Sequence, residues 1–250
     1  MANPVRIKAL IAGVTKHSEC VYTVTFQPLG RVPRYKAGQF MHLALDHFDP
    51  TTGFWPESRV FSIASRFGNA ELEIVYSVKG RFTRRMEAEL RPGLEVWLKL
   101  PYGDFIIDEM ANPGDDLVLI AGGTGITPFI PYLHSRLIAE TSPSGRIQMH
   151  YGFRNSALHL YRELLSACCS KIKGFELYIT VEQETSGMLQ SGEQRISQGI
   201  LSIGMILDLS GSLRDPLFLL SGPPTMVMTF KDFLRIHGVP EGRVKTDDWE

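Results

Sequence analysis

The pattern of apolar and polar residues changes near residue 110 of the sequence. Before that point, short runs rich in β-branched and aromatic residues are separated by turns that contain glycine or proline, which is typical of β-strands. The runs are RIKALIAGV (6–14), VYTVTF (21–26), QFMHLAL (39–45), RVFSIAS (59–65), LEIVYSV (72–78) and EVWLKL (95–100). Six such strands within about a hundred residues predict an antiparallel β-barrel, interrupted by one short helix from Arg81 or Phe82 to Leu90.

After the turn at 112–116, strands and helices alternate. The run LVLIAGG (117–123) is continuously apolar, which indicates a strand that is covered on both faces. Helix 126–139, strand RIQMHYGF (146–153), helix 158–169, strand FELYIT (175–180), strand PLFLLSG (216–222) and helix 224–236 follow. Alternation of this kind predicts a parallel sheet. We therefore expect a β-barrel domain over residues 1–110 and a doubly wound, parallel-sheet α/β domain over residues 111–250.

Composition and charge exclude several classes of protein. The net charge of −1 gives no reason to expect nucleic acid or an anionic membrane as a partner, and no apolar run approaches the ~18 residues of a membrane span. The first apolar run is also too short for a secretory signal. Three cysteines, at 20, 168 and 169, form no disulfide framework and cannot supply the four thiolates of a plant-type iron–sulfur cluster. The sparse cysteines favour a reducing cytoplasm. The seven histidines are scattered, so we expect no metal site.

Two glycine-containing loops follow buried strands of the second domain. In IAGGTGITPF (120–129), the glycines allow close approach of a ligand, and the free N–H groups of the following helix favour a pyrophosphate. The same loop also fits a tight strand–helix turn with Thr127 as the cap and Pro128 in the first turn. LLSGPPTMV (219–227) has a similar context. Because both loops lie at carboxyl ends of parallel strands, together they favour a dinucleotide pocket.

The run RVFSIAS of the first domain also fits either a structural or a ligand-binding role. Alternation in a strand directs Arg59 and Phe61 to one face and Val60 and Ser62 to the other. The pattern fits an ordinary half-buried strand, and it also fits a strand end that binds a ligand with a phosphate, a flat ring and a polar edge.

Four motifs occur in an order that resembles the ferredoxin–NADP reductase superfamily. They are RVFS (59–62), GRFT (80–83), GGTGITP (122–128) and SGPP (221–224), and PYGDF (101–105) is similar to the turn that ends the family's flavin domain. The resemblance covers nearly the whole chain. It implies a flavin-binding barrel followed by an NAD(P)-binding domain.

The resemblance also implies roles for residues of the barrel. Arg59 would neutralise the flavin pyrophosphate, Phe61 would lie against the isoalloxazine ring where the family more often has tyrosine, and Ser62 would be a catalytic residue near flavin N5. The further flavin-binding residues that it implies are Val60, Ile74, Val75, Tyr76, Gly80, Arg81, Phe82 and Thr83. Lys79, Arg84 and Arg85 either add positive charge for the cofactor or an acidic partner, or form an ordinary solvated helix face.

For the second domain, the resemblance implies a nucleotide site with two departures from the family. Its residues would be Gly123, Thr124, Gly125, Thr127, Arg154, Gly222 and Pro223. Ser221, a catalytic residue next to the nicotinamide, stands where the family usually has cysteine, and Val227 stands where plant-type members carry an acidic residue. Trp249 resembles the terminal aromatic that shields the flavin until nicotinamide displaces it, although a frayed tail is the alternative.

The choice of nicotinamide stays open at this point. Arg154 suits the 2′-phosphate of NADP, whereas Glu182 and Glu184 lie where NADP-specific members tend to have a basic residue.

The function implied is that of a reductase that takes hydride from NAD(P)H onto bound FAD. It would pass electrons to a separate ferredoxin, flavodoxin or oxygenase component, as a monomer or weak dimer. FAD is preferred to FMN because it is commoner in the family, and loop 46–58, with Phe54 and Trp55, is a candidate contact for its adenine. The alternatives are an NAD(P)H-dependent reductase of free flavin and a non-catalytic, flavin-binding, redox-sensing subunit.

Overall fold

The chain folds into two compact units, of which the first ends at Ile106 and the second begins at Ile107. The computed structural model of the protein describes residues 3–18, 20–139, 145–183 and 194–247. None of the helices in these described ranges is long and apolar enough to cross a membrane.

The first unit is a nearly closed antiparallel barrel of six strands, as the sequence predicts. Its strands are β1 (Val5–Ser18), β2 (Val21–Pro28), β3 (Phe40–Ala44), β4 (Ser58–Ser62), β5 (Leu72–Ser77) and β6 (Glu95–Tyr102), and the one helix is α1 (Arg81–Glu89). The strand order is β4-β3-β6-β1-β2-β5, so β4 and β5 stand at the two ends of the sheet. Just beyond β4, the Ala64 N–H donates to the Glu73 carbonyl over 2.8 Å, which brings the two ends together.

Alternation of side chains fills the barrel. On β1, Ile7, Ala9 and Ile11 are buried, because successive side chains of a strand point to opposite faces. The helix α1 adds Phe82 and Met86 to the same core. The start of α1 is thereby fixed relative to the strands.

The second unit is a parallel sheet of six strands with the order β10-β9-β8-β7-β11-β12. The strands are β7 (Leu117–Gly122), β8 (Ile147–Phe153), β9 (Phe175–Val181), β10 (Gln194–Gln198), β11 (Leu217–Ser221) and β12 (Val244–Thr246). The helices are α2 (Ile107–Met110), α3 (Ile130–Ile138), α4 (Arg162–Lys171), α5 (Ile203–Ser210) and α6 (Pro224–Ile236). The doubly wound parallel sheet is confirmed.

The strand order reverses between β7 and β11. The chain runs outward from β7 through β8, β9 and β10, and then returns to place β11 on the other side of β7. Such a switch point leaves a crevice at the carboxyl ends of the two strands, which is where parallel sheets bind ligands.

Two helices begin later than the sequence predicts. Residues Gly123–Phe129 form a 3₁₀ helix, and α3 starts only at Ile130, since the Pro128 ring has no N–H to donate to an α-helical ladder. Helix α4 starts at Arg162 because Tyr161 adopts a left-handed conformation, with φ of 56°, that ends the preceding turn. The sequence pattern does not predict strands β10 and β12 or helices α2 and α5.

Candidate functional site

Arg59 lies on β4 with its side chain about half exposed. The guanidinium covers the ring of Phe82, the second residue of α1, at 5.2 Å. Its Nη1 donates to the Ser58 carbonyl over 2.8 Å, and its Nη2 donates to Glu57 Oε1 over 3.2 Å. These contacts direct the positive charge from the strand toward the start of the helix.

Arg81, the first residue of α1, reaches the same carboxylate. Its Nη2 lies 3.2 Å from Glu57 Oε2, and 88% of its side chain is exposed. Two guanidiniums from separate elements therefore converge on one anionic group. We call these three side chains, Arg59, Glu57 and Arg81, the arginine–glutamate cluster.

The start of α1 has further capacity for an anion. The Thr83 hydroxyl accepts hydrogen bonds from the N–H groups of Lys79 and Gly80, over 2.9 and 3.0 Å, so this side chain acts as a cap. The N–H groups of Arg81, Phe82 and Thr83 belong to the first turn, where a helix supplies no acceptors. A Cβ added to Gly80 would meet nothing within 4 Å, so the helix start is open. The positive end of the helix dipole adds to the two arginines.

The aromatic and hydroxyl residues of β4 lie deeper than Arg59. Phe61 is buried and meets the Tyr76 ring edge-on, with 6.3 Å between ring centroids, whereas Val60 is half-buried. Ser62 is buried at the end of the same strand, so its side chain lies below the surface.

Ile74, Val75 and Tyr76 lie on β5, paired with β2 and buried. Tyr76 stacks on Tyr22, with 5.4 Å between ring centroids, and its hydroxyl is buried without a partner within the described part of the chain. Burial raises the pKa of Tyr76, so its hydroxyl stays protonated and able to donate. A buried, unpaired donor beside an aromatic ring suits a flat ligand with polar atoms.

The two glycine loops of the second unit meet at the switch point. A Cβ on Gly125 would lie 2.4 Å from the Ser221 carbonyl oxygen and 2.5 Å from the Gly222 nitrogen. A Cβ on Gly122 would lie 2.8 Å from the Met226 sulfur. These glycines therefore allow the two loops to pack against each other. Pro223 follows as the N-cap of α6.

Gly123 differs from its neighbours in this loop. It has φ of 55°, a left-handed conformation, and an added Cβ would meet nothing within 4 Å. Thr124 follows, and its carbonyl accepts a hydrogen bond from the Thr127 hydroxyl over 2.9 Å, so Thr127 stabilises the turn. The backbone of Gly123 is the open part of the loop that a ligand can approach.

Ser221 has a partner that sequence analysis missed. Its buried hydroxyl donates to Asp247 Oδ2 over 3.0 Å. The pairing of β11 with β12, in which Leu220 is opposite Thr246, brings the next residues of both strands together. A carboxylate is thus present beside Ser221, although Val227 occupies the position after the SGPP motif where the resemblance predicts an acidic residue.

The adjacent ends of β8 and β9 carry two further predicted residues, Arg154 and Glu182. Arg154 is exposed after β8, and its carbonyl accepts from the Gln183 N–H over 2.9 Å, which places exposed Glu182 on the neighbouring strand end. Close by in sequence, His159 stacks on Phe153 with 5.2 Å between ring centroids, and burial lowers the pKa of His159 to about 4. Glu184 and Trp249 lie outside the described residues.

Comparison with known proteins finds a matching domain model for part of the chain and relatives for most of it. Residues 119–232 match the model of the oxidoreductase NAD-binding domain. One of the subunits of 1,2-phenylacetyl-CoA epoxidase from Escherichia coli (strain K12) is 28% identical over 242 residues, which cover 92% of this chain and 64% of that protein. Across three curated relatives that it matches, the chain spans 56 to 64% of their length.

Solved structures share the whole fold. A cytochrome P450 reductase from Amycolatopsis superposes with a TM-score of 0.80 at 20% identity, covering 100% of this chain and 71% of that one. A ferredoxin NADP⁺ reductase from Neisseria gonorrhoeae, solved with bound FAD and NADP, superposes with a TM-score of 0.72 at 20% identity and covers 98% of both chains. The chain has the fold of the ferredoxin–NADP reductases.

Two residues depart from the ferredoxin–NADP reductase pattern that the motifs of this chain resemble, namely the phenylalanine at 61 and the serine at 221. Phe61 keeps an aromatic ring beside Tyr76, and Ser221 gains a charged hydrogen-bond partner in Asp247. Both residues are therefore accommodated by their surroundings.

Proposed function

We propose that the chain is an NAD(P)H-dependent flavoprotein reductase that holds FAD in its first unit and NAD(P)H in its second. The observation that carries this proposal is the switch point between β7 and β11, where two glycine loops meet at the carboxyl edge of the sheet. The match of residues 119–232 to the oxidoreductase NAD-binding domain, the shared fold and the anion-binding character of the first unit support it.

The first unit fits a flavin by the chemistry of its donors. Arg59, Arg81 and the first-turn N–H groups of α1 would bind the pyrophosphate, because guanidiniums and helix starts both favour phosphate oxygens. Phe61 and Tyr76 would provide the aromatic and hydroxyl contacts to the ring system, and Ser62 would contribute a second hydroxyl. FAD is preferred to FMN on resemblance alone.

The second unit fits a dinucleotide at its switch point. Gly123 presents open backbone, and the neighbouring loop contributes Gly222 and Pro223 at the start of α6. Pyrophosphate oxygens would accept from N–H groups of these loops. Ser221 would orient the nicotinamide, with Asp247 fixing the direction of its hydroxyl.

A bound flavin would accept hydride from NAD(P)H and release electrons one at a time. The chain's own residues would supply binding charge, ring contacts and fixed hydrogen-bond directions. Arg154 and Glu182 lie on adjacent strand ends. Arg154 favours NADPH and Glu182 favours NADH, so the identity of the hydride donor has to be measured.

We further propose that the electron acceptor is a separate protein, of the ferredoxin, flavodoxin or oxygenase-component class. Two similar proteins support the oxygenase class by name, since one belongs to an epoxidase and the other is a cytochrome P450 reductase.

Anaerobic stopped-flow absorbance tests the proposal. The full chain, reconstituted with FAD and freed of excess flavin, is mixed separately with NADH and NADPH. Fast bleaching of the band at ~450 nm by either donor supports the reductase and identifies its donor. Turnover with added flavin but no retained flavin would establish the free-flavin reductase instead. Retained flavin that neither donor reduces would establish the redox-sensing subunit.

A further inference from the structure

The arginine–glutamate cluster already contains a bound anion, and that anion belongs to the chain itself. Glu57 precedes β4, yet its carboxylate contacts Arg81, which is 24 residues further along the chain, as well as its neighbour Arg59. Both oxygens of the carboxylate are used, since Oε1 accepts from both arginines and Oε2 from Arg81.

The cluster stabilises the fold little. More than half of the Arg59 side chain and 88% of the Arg81 side chain are exposed, and exposed ion pairs contribute little to the free energy of unfolding. The Thr83 cap and the buried Phe82 and Met86 also hold the start of α1. The ion pairs of the carboxylate therefore contribute little to the stability of this part of the barrel.

We propose that Glu57 is an internal competitor for the phosphate-binding arginines of the flavin site. This inference rests on the proposed function, which assigns Arg59 and Arg81 to the phosphate. Each Nη2 that points at Glu57 is a donor that a phosphate oxygen requires. Flavin phosphate has to displace the carboxylate, and Glu57 then remains close by as a like charge.

The competition has a defined chemical signature. With Glu57 ionised, the three side chains carry a net charge of +1, and with a neutral amide at this position they carry +2. The difference acts on a ligand's phosphate and not on its ring. It therefore affects FAD and FMN, whereas riboflavin, which has no phosphate, is unaffected. Because the groups are exposed, added salt screens the effect.

The experiment compares flavin affinities of the flavin-free full chain and its Glu57→Gln variant. Isothermal titration with FAD, FMN and riboflavin is performed at low and at high salt. We expect Glu57→Gln to bind FAD and FMN about fivefold more tightly at low salt, with a smaller gain at high salt and no gain for riboflavin. Glu95→Gln is the matched control, since it removes the same charge from an ion pair with Lys8 that involves neither arginine.

Three results would overturn the inference. Equal FAD affinity of the wild type and Glu57→Gln would show that no competition occurs. Weaker FAD binding by the variant would show that Glu57 positions the arginines rather than competing for them. If neither protein binds any of the three flavins, the proposed function fails and this inference fails with it.

Discussion

Replacing Gly125 by alanine tests how the two loops at the switch point are built. The new Cβ would lie 2.4 Å from the Ser221 carbonyl oxygen and 2.5 Å from the Gly222 nitrogen, about 1 Å inside normal contact. Both atoms are backbone atoms, and the strand that carries Ser221 is paired on both sides by β7 and β12. The loop after β7 must therefore move.

The structure sets the magnitude of the effect. Inserting a methyl group into a well-packed contact costs about 1–3 kcal/mol, and here no flexible side chain can yield. We expect Gly125→Ala to lower the free energy of unfolding of the second unit by about 2–3 kcal/mol. A displacement of about 1 Å at the loop should also weaken NAD(P)H binding at least about tenfold.

Hydrogen–deuterium exchange of peptides from β7 and β11 measures the stability of this unit, since the most protected amides report its full opening. Gly204→Ala is the matched control. Its Cβ would lie at an ordinary 3.7 Å from the Phe233 ring, and replacing glycine within α5 should stabilise the unit by about 0.5 kcal/mol. If Gly125→Ala matches the wild type in both protection and NAD(P)H affinity, the close approach of the two loops is refuted.

Three further predictions concern buried polar groups. Ser221→Ala removes the donor to Asp247 and should cost about 1–2 kcal/mol of unfolding free energy in urea titrations; an unchanged value would mean that the hydrogen bond contributes nothing. Tyr76→Phe removes a buried hydroxyl that has no partner in the described ranges. The flavin-free variant should be equally stable or about 1 kcal/mol more stable than the wild type, and a clearly lower melting temperature would contradict this prediction. Burial lowers the pKa of His150 to about 3, so the folded chain keeps this imidazole neutral whereas the unfolded chain protonates it below about pH 6.5. The free energy of unfolding is therefore fully present above pH 6.5 and decreases as the pH falls toward 3. Between pH 7 and 5.5, the free energy of unfolding of His150→Phe should therefore decrease by about 1 kcal/mol less than that of the wild type. Equal decreases in the two proteins would contradict this prediction.

The sequence predicts the barrel well because each strand buries alternate side chains in a single core. Prediction fails where the neighbouring strand decides the structure. No strand is predicted at β10, and its conformation follows from pairing with β9, where Arg195 lies opposite Tyr178 and covers its ring. Similarly, β1 continues through polar residues to Ser18 because β2 pairs with it.

The candidate site shows the same limit. The motif predicts Arg59 and Arg81, but their convergence on Glu57 depends on the packing of α1 against the barrel. Likewise, the Ser221–Asp247 hydrogen bond depends on β12, a three-residue strand with no pattern of its own. Contacts between distant segments need the fold before they can be recognised.

Strands β4 and β5 leave a seam in the barrel that bears on cofactor loading. Edge strands expose rows of N–H and C=O groups, and beyond β4 a hydrogen bond from Ala64 to Glu73 brings these two edges together. The same two strands carry the residues predicted to contact flavin. A planar ligand along the seam would form hydrogen bonds with the edge N–H and C=O groups, which in a fully closed barrel are paired with another strand. The melting temperature of the first unit would then rise with flavin concentration, as mass action requires, and folding and loading of this unit would be a single coupled equilibrium.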